Sequence, residues 1–367
     1  MTIKINKSSL SEALNNVQSV VGGKASIQIL QNVKMSAKDG KVEFTCSDLD
    51  ITLLARANCD VIAKGETTVP VKTFASAVSK VVDGEIKIEV DAKDCTKLSA
   101  GSTIFKFIGL PAKEFPKLPE AEGKKVVLPA NAIREMFRKT SFAMSADETR
   151  RTLNAVLLDF SDRGSNVKAV ATDGRRLALL NTDLGEGKEL QEQFCIPRKA
   201  VDILLKKLPK DGDCSIVTSG RQISFITANL EFTMKLLEDV FPNYMQVVPT
   251  SSKEKIPVDR VALLGAIDRI SVFTAASETP CMSLTFGGNS IALTSNNTEF
   301  GEAHDEIPIK YEGEKIEMKF NPQYIKEALN AIDEDEVEFL LNSATQPAII
   351  KKAGSYDYTY VVMPLRI

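Results

Sequence analysis

The feature that most constrains this chain is a strand-to-helix unit that recurs six times. Each copy runs from a short β-like segment through a polar or proline-containing cap into an amphipathic helix. The copies read IKINKSSLSEALNNV from Ile3, TVPVKTFASAVSKVV from Thr68 and VVLPANAIREMFRKTSF from Val126. They continue with FCIPRKAVDILLKKL from Phe194, KIPVDRVALLGAIDRI from Lys255 and MKFNPQYIKEALNAI from Met318. Ser8, Lys72, Asn131, Arg198, Val258 and Pro322 mark the helix entries, at a spacing of roughly 60 residues that identifies a repeat architecture. Pro197, Pro257 and Pro322 suit helix starts, where the missing N–H costs nothing. Apolar residues recur at three and four within each helix, as with Ala200, Ile203, Leu204 and Leu208, which marks a core-facing stripe.

Between the helices the chain alternates in period two and breaks at Asp-Gly, Asn or Gly, as in GKVEFTCSDLDITLLARANCDV and SLTFGGNSIALTS. Such alternation predicts half-buried strands. A slower repeat lies over the first. AKEFPKLPEAEGKK from Ala112 and LEDVFPNYMQVVPTSSKEK from Leu237 are both Phe-Pro segments followed by a polar stretch. They read as linkers that divide the chain into three similar domains, 1–124, 125–250 and 251–367. Each domain then holds two strand-helix units, so the domain is itself an internal duplication of α+β class.

With 367 residues the chain exceeds a single ordinary core, in keeping with several domains. No run of about 18 apolar residues is present to span a membrane. The start MTIKINKSSL lacks a secretory apolar core, so a cytoplasmic location is expected. The six cysteines are scattered without a C-x-x-C pair, which favours reduced thiols over zinc. The single histidine, His304, sits in the acidic stretch GEAHDEIP and reads as a solvated loop residue. The carboxylates of IDEDEVE, from Ile332, lack the ordered spacing of a calcium loop. No metal, cofactor or catalytic machinery is expected.

ATDGRRLALL, from Ala171, allows three readings: a catalytic turn, a phosphate grip or a charged hairpin. Asn166–Thr172 alternates as a strand, Asp173-Gly174 is a favoured two-residue hairpin dipeptide, and the return strand begins at Arg175. Adjacent residues of a strand face opposite ways, so Arg175 and Arg176 cannot close on one phosphate. The hairpin is therefore the expected structure.

The basic residues are unevenly spread. Lys72 and Lys80 lie on the second helix, Arg134, Arg138 and Lys139 on the third, and Arg198, Lys199, Lys206 and Lys207 on the fourth. With Glu135 and Asp202 subtracted these helices sum to +7 in a chain of net charge −3. Equivalent helices sharing one sign suggest a common surface suited to a phosphate backbone, with no base readout.

Three tandem domains built from duplicated strand-helix units resemble the bacterial sliding clamp family, the β subunits of DNA polymerase III. ATDGRRLALL is similar to that family's Thr-Asp-Gly-x-Arg-Leu hairpin, FPNY at Phe241 to its exit from domain two, and YVVMPLRI to its closing strand. The resemblance covers the whole chain. It implies three DNA-clamp domains, a ring-shaped head-to-tail homodimer around duplex DNA, and no catalytic activity or cofactor of its own. It implies a peptide pocket at Leu153, Thr172, Arg175, Arg176, Leu177, Pro242, Val247, Ala344, Pro347, Val361 and Met363. Polymerase III, the clamp loader, other polymerases and repair proteins would dock there through a glutamine and leucine or phenylalanine anchors. The family commonly has histidine where this chain has Arg175. DNA contacts are implied at Lys24 and at the loop of Arg151, and the dimer contact at Phe105 against Val272 and Phe273, with Glu299 and Glu302. A repeat scaffold that binds proteins without encircling DNA is the alternative reading.

Overall fold

The computed structural model describes residues 1–22, 27–117, 121–161, 166–183, 190–237, 239–249, 251–274, 280–297 and 301–366. Two of the residues singled out above, Lys24 and Glu299, lie outside this set. Among the described residues, six α-helices form at Lys7–Val17 (α1), Val71–Lys80 (α2), Ala130–Thr140 (α3), Arg198–Lys207 (α4), Arg260–Ile270 (α5) and Pro322–Ala331 (α6). Side-chain caps explain several starts. Asn6 accepts from the Ser8 N–H at 3.0 Å, Asp259 from Ala262 at 2.8 Å and Asn321 from Gln323 at 2.9 Å.

The entry expected at Val258 is corrected: Val258 belongs to strand Glu254–Asp259, and Asp259 caps α5. Of the three prolines expected at helix starts, Pro322 alone occupies a first helical turn. Pro197 and Pro257 lie in strands instead, at Gln193–Pro197 and Glu254–Asp259. Both are the outer strands of a sheet, where a residue without an N–H removes no interior ladder bond.

The chain divides into two compact units, Met1–Asn131 with Asp202–Leu236, and Ala132–Val201 with Leu237–Ile367. The first holds an eight-stranded sheet in the order Lys124–Pro129, Asp213–Thr218, Gln222–Ile226, Leu230–Lys235, Ile51–Asn58, Lys41–Ser47, Asn32–Lys38, Gly65–Pro70. The second holds another, ordered Gln193–Pro197, Ala155–Asp159, Asn166–Thr172, Arg176–Asp183, Tyr358–Val362, Ala348–Lys352, Glu336–Leu341, Glu254–Asp259. Each sheet joins two four-stranded halves from successive segments of the chain at an antiparallel seam. One seam pairs Phe232 with Leu53 and Met234 with Ile51; the other pairs Leu177 with Val361. Arg56 clips the first seam, reaching Glu43 at 3.1 Å and Glu231 at 3.2 Å.

Among the described residues, two further sheets have no such partner. In the first unit the order is Asp60–Ala63, Thr2–Asn6, Glu85–Val90, Cys95–Ala100, Thr103–Ile108. In the second it is Gly301–Pro308, Ser290–Asn297, Met282–Gly287, Ile316–Phe320. By position in the repeat, Thr103–Ile108 corresponds to Leu230–Lys235 and Tyr358–Val362, and Gly301–Pro308 to Ile51–Asn58 and Arg176–Asp183. Both are edges within this chain. His304, expected in a loop, is an exposed residue of that last edge strand.

Helices pack against the sheets within each unit. α1 packs on α2 and on strand Ile51–Asn58, while α5 packs on α6 and on Gly301–Pro308. Burial follows the alternation: Ile3 and Ile5 are buried where Thr2 and Lys4 are not. Cys46, Cys195 and Cys214 are buried free thiols. Burial pushes the Cys195 thiol up to about 11, where it carries almost no thiolate at neutral pH.

Candidate functional site

The stretch Thr172–Leu177 is a hairpin, but a four-residue one. Thr172 pairs with Leu177, leaving Asp173, Gly174, Arg175 and Arg176 between them, and the return strand starts at Arg176. The two-residue turn expected from Asp-Gly is therefore replaced. The reason lies in side chains that supply the turn's hydrogen bonds. The Thr172 hydroxyl donates to the Arg176 carbonyl at 2.6 Å and accepts from the Gly174 N–H at 3.1 Å. The Asp173 carboxylate accepts from the Arg175 and Arg176 N–H groups at 2.8 and 3.1 Å. Gly174 has φ 91°, a conformation that glycine adopts without a Cβ penalty.

The two arginines diverge. Arg175 is exposed. The Arg176 side chain is 8% exposed and ties together three segments. Its Nε donates to Asp173 at 3.1 Å, one Nη donates to Glu327 of α6, and the other donates to the Phe142 carbonyl at 2.7 Å. Its guanidinium also lies 4.3 Å from the Tyr324 ring centroid, within cation–π range.

Beside this hairpin, wholly within the second unit, is a cavity of about 240 Å³. Leu153, Leu177, Tyr244 and Val361 are its buried apolar walls, and Met363 and Val247 stand at the rim, 36% and 40% exposed. Leu177, Tyr244 and Val361 belong to a core cluster with Leu157, Phe241 and Leu340, so the walls are backed by packed side chains. The Met363 N–H donates to the Arg175 carbonyl at 2.9 Å, which fixes the C-terminal segment against the hairpin.

Of the pocket residues expected from the sequence, nine converge here: Leu153, Thr172, Arg175, Arg176, Leu177, Pro242, Val247, Val361 and Met363. Ala344 and Pro347 are not among the lining residues; Ala344 is exposed in the loop before strand Ala348–Lys352. Arg150, Gly174, Asn243 and Tyr244 also line the cavity. Tyr244 stood in the quoted FPNY stretch, where a linker reading hid it.

Tyr244 is held from behind. Its hydroxyl donates to the Asp159 carboxylate at 2.8 Å, which also accepts from Ser161 and Gln193. Burial works against the Asp159 charge, but the bonds from Ser161, Tyr244 and Gln193 outweigh it and lower its pKa. A depressed folded-state pKa stabilises above the unfolded value of about 3.9 and is lost as pH falls through the folded value. Asp159→Asn is expected to cost about 1–3 kcal/mol at neutral pH. The gap between variant and wild type should shrink below about pH 4. Denaturant titrations at pH 7 and pH 3 measure it, and a pH-independent gap contradicts the assignment.

The basic residues have mixed surroundings. Lys80, Lys199 and Lys206 are exposed, and Lys72 donates to the Gly22 carbonyl at 3.1 Å. Arg134 is half-buried. Arg138 and Lys139 are already paired with Asp333, at 2.8 and 3.0 Å, and Arg138 also with Glu135. Arg198 donates to the carbonyls of Met144 and Ser145 at 3.0 and 3.2 Å. Arg151 is mostly exposed, 4.0 Å from Asp239. At the edges, Phe105 is half-buried with its ring centroid 6.3 Å from that of Phe107, whereas Ile104 and Ile108 are 56% and 86% exposed. Val272 is 71% exposed, Glu302 is exposed and Phe273 is half-buried.

Comparison with known proteins decides the family. Models of the N-terminal, central and C-terminal domains of the DNA polymerase III beta subunit match residues 1–119, 127–243 and 245–366. The chain belongs to the DNA polymerase III beta subunit family. A beta sliding clamp of Pseudomonas putida is 31% identical over 371 residues, covering 100% of both chains. One from Chlamydia pneumoniae is 27% identical over 368 residues, covering 100% of this chain and 99% of its own. The Bacillus subtilis sliding clamp superposes with TM-score 0.95 at 28% identity, over 100% of this chain and 99% of that one. A Pseudomonas aeruginosa clamp crystallised with griselimycin gives 0.95 at 29%, over 100% of each. Three tandem clamp domains of mixed α and β structure are thus the fold of this beta subunit family member, as the sequence led us to expect.

Proposed function

We propose that this chain is a processivity factor of bacterial DNA replication. Two copies join head to tail around duplex DNA, slide without sequence preference and tether polymerase III and other replication and repair proteins. Its domains are 1–124, 125–250 and 251–367. It works in the cytoplasm and performs no chemistry itself.

The observation that carries this reading is the pair of unmatched sheet edges. Two of the repeat's seams are made inside the chain. Its third requires Thr103–Ile108 of one copy and Gly301–Pro308 of another. Carrying over the register of either internal seam gives the same alignment, with Lys106 opposite Glu302 of the partner subunit. Exposed Ile104 and Ile108 suit a covered edge. Such pairing is heterologous, and it closes only as a ring.

DNA is held by topology more than by affinity. Exposed Lys80, Lys199 and Lys206 supply charge for phosphates, and helices of 10 and 11 residues are long enough to cross a groove. The apolar cavity beside Thr172–Leu177 receives partner peptides. Two or three buried anchors at about 1.5–3 kcal/mol each suit micromolar, exchangeable binding once association costs are met. Exchange is what a tether shared among partners needs.

The test is topological. Protein loaded by its clamp loader on closed circular DNA is expected to co-elute with the circle, then run off when the DNA is cut once. Equal retention on circular and linear DNA rejects encirclement and favours a protein-binding scaffold.

A further inference from the structure

The hairpin beside the cavity has a twin in the first unit. Residues Ser47–Ile51 repeat the hydrogen bonds of Thr172–Arg176 position by position. The Ser47 hydroxyl donates to the Ile51 carbonyl at 3.1 Å and accepts from the Leu49 N–H at 3.1 Å. The Asp48 carboxylate accepts from the Asp50 and Ile51 N–H groups at 3.1 and 2.7 Å. Leu49 stands where the second hairpin has Gly174, and at φ 79° it holds a left-handed backbone that side chains seldom adopt.

A second cavity accompanies this twin, again beside a sheet seam and a Phe-Pro segment, with Pro116 in the place of Pro242. The seam registers equate its walls with those of the first. Thr52 faces Thr233 where Leu177 faces Val361, and Lys235 lies two residues on, where the first cavity has Met363. At about 440 Å³ it is the larger of the two, so room is not what separates them. Lining chemistry is. Three apolar walls have become two hydroxyls and an ammonium, and Lys235 is joined by Asp50 at 3.3 Å.

We propose that the cavity at Ser47–Thr52 is a second copy of the peptide pocket that Thr52 and Lys235 close to apolar-anchored peptides, limiting each chain to one. The proposal rests on reading the first cavity as a peptide pocket. An apolar anchor entering the second would lie against the Thr52 hydroxyl, bonded to Ser47 at 2.9 Å, and strip water from the exposed Lys235–Asp50 pair without replacing it.

Calorimetric stoichiometry tests it on the full-length chain. The probe is a synthetic peptide with one glutamine followed by leucine and phenylalanine anchors. Wild type is expected to bind one peptide per chain, and Val247→Asp, at the rim of the first cavity, none. The variant L49G/T52L/K235M is expected to bind two, the second within about tenfold of the first. Adding Val247→Asp to it should leave one. If that variant unfolds, Lys235→Met alone changes only an exposed side chain and should admit a second, weaker peptide. A folded variant that still binds one peptide overturns the proposal, as does a wild type that binds two. A wild type whose single peptide survives Val247→Asp overturns instead the reading of the first cavity.

Discussion

Arg176→Ala is expected to lower the unfolding free energy by about 3–5 kcal/mol and to weaken peptide binding, while Arg175→Ala leaves stability within about 0.5 kcal/mol. The asymmetry follows from their surroundings. Arg175 is an exposed loop residue, whereas Arg176 is buried with charged and carbonyl acceptors on three sides. Truncation leaves Glu327 and Asp173 without their cation and the Phe142 carbonyl without a donor. It also empties the space against Tyr324. The hairpin's own bonds survive, but the loop loses its anchor to α6. That loop carries the carbonyl accepting from Met363, so the cavity rim loosens with it. A loss of at least tenfold in peptide affinity is expected, about 1.4 kcal/mol. Denaturant unfolding and calorimetry on both variants measure the contrast. Equal stability of the two would show that Arg176 is incidental.

The second large effect concerns assembly. Ile104→Asp/Lys106→Glu should convert a dimer into a 40.1 kDa chain in light scattering at micromolar concentration. It places two carboxylates on the exposed side of Thr103–Ile108, one of them directly opposite Glu302 of the partner subunit. Like charges facing each other across strands destabilise the pairing, and aspartate also forfeits the apolar cover of Ile104. Register is the sharper claim. Lys106→Glu combined with Glu302→Lys should recover part of what either single change loses, a coupling on the order of 0.5–1 kcal/mol. No recovery would mean that the strands pair in another register. The monomeric variant should also fail to stay on circular DNA.

Much of this molecule was legible beforehand because periodicity reports burial. Apolar residues at three and four fixed the helices to within two residues of their observed starts, since a helix in this fold is stabilised chiefly by its buried stripe. The hairpin at Asp173 was legible in kind but not in length. A two-residue turn and a four-residue one share the Asp-Gly signal, and the choice went to the Thr172 hydroxyl and Asp173 carboxylate, whose bonds span the loop. Pro197 and Pro257 misled for a related reason. Proline suits a first helical turn and an outer strand equally, and sheet order settled which. Nothing local announced that Arg176 would be buried, because its partners Glu327 and Phe142 are remote in sequence. The matching of Ser47–Ile51 with Thr172–Arg176 was hidden by chemistry: Ser-Asp-Leu-Asp-Ile and Thr-Asp-Gly-Arg-Arg share a backbone pattern, with only Asp48 and Asp173 identical.

The first seam also governs how the chain emerges from the ribosome. Arg56 and its partner Glu231 are 175 residues apart, so strand Ile51–Asn58 exists long before Leu230–Lys235 is made. At about 5–20 residues per second the nascent chain carries that open strand for roughly 9–35 s. During that interval one side of the strand is an edge whose native neighbour is not yet made. Thr52 and Arg56 on that strand, and Glu43 on the strand beside it, put polar side chains near the open edge, which disfavours premature pairing. The salt bridge that clips the seam thus joins two segments made many seconds apart.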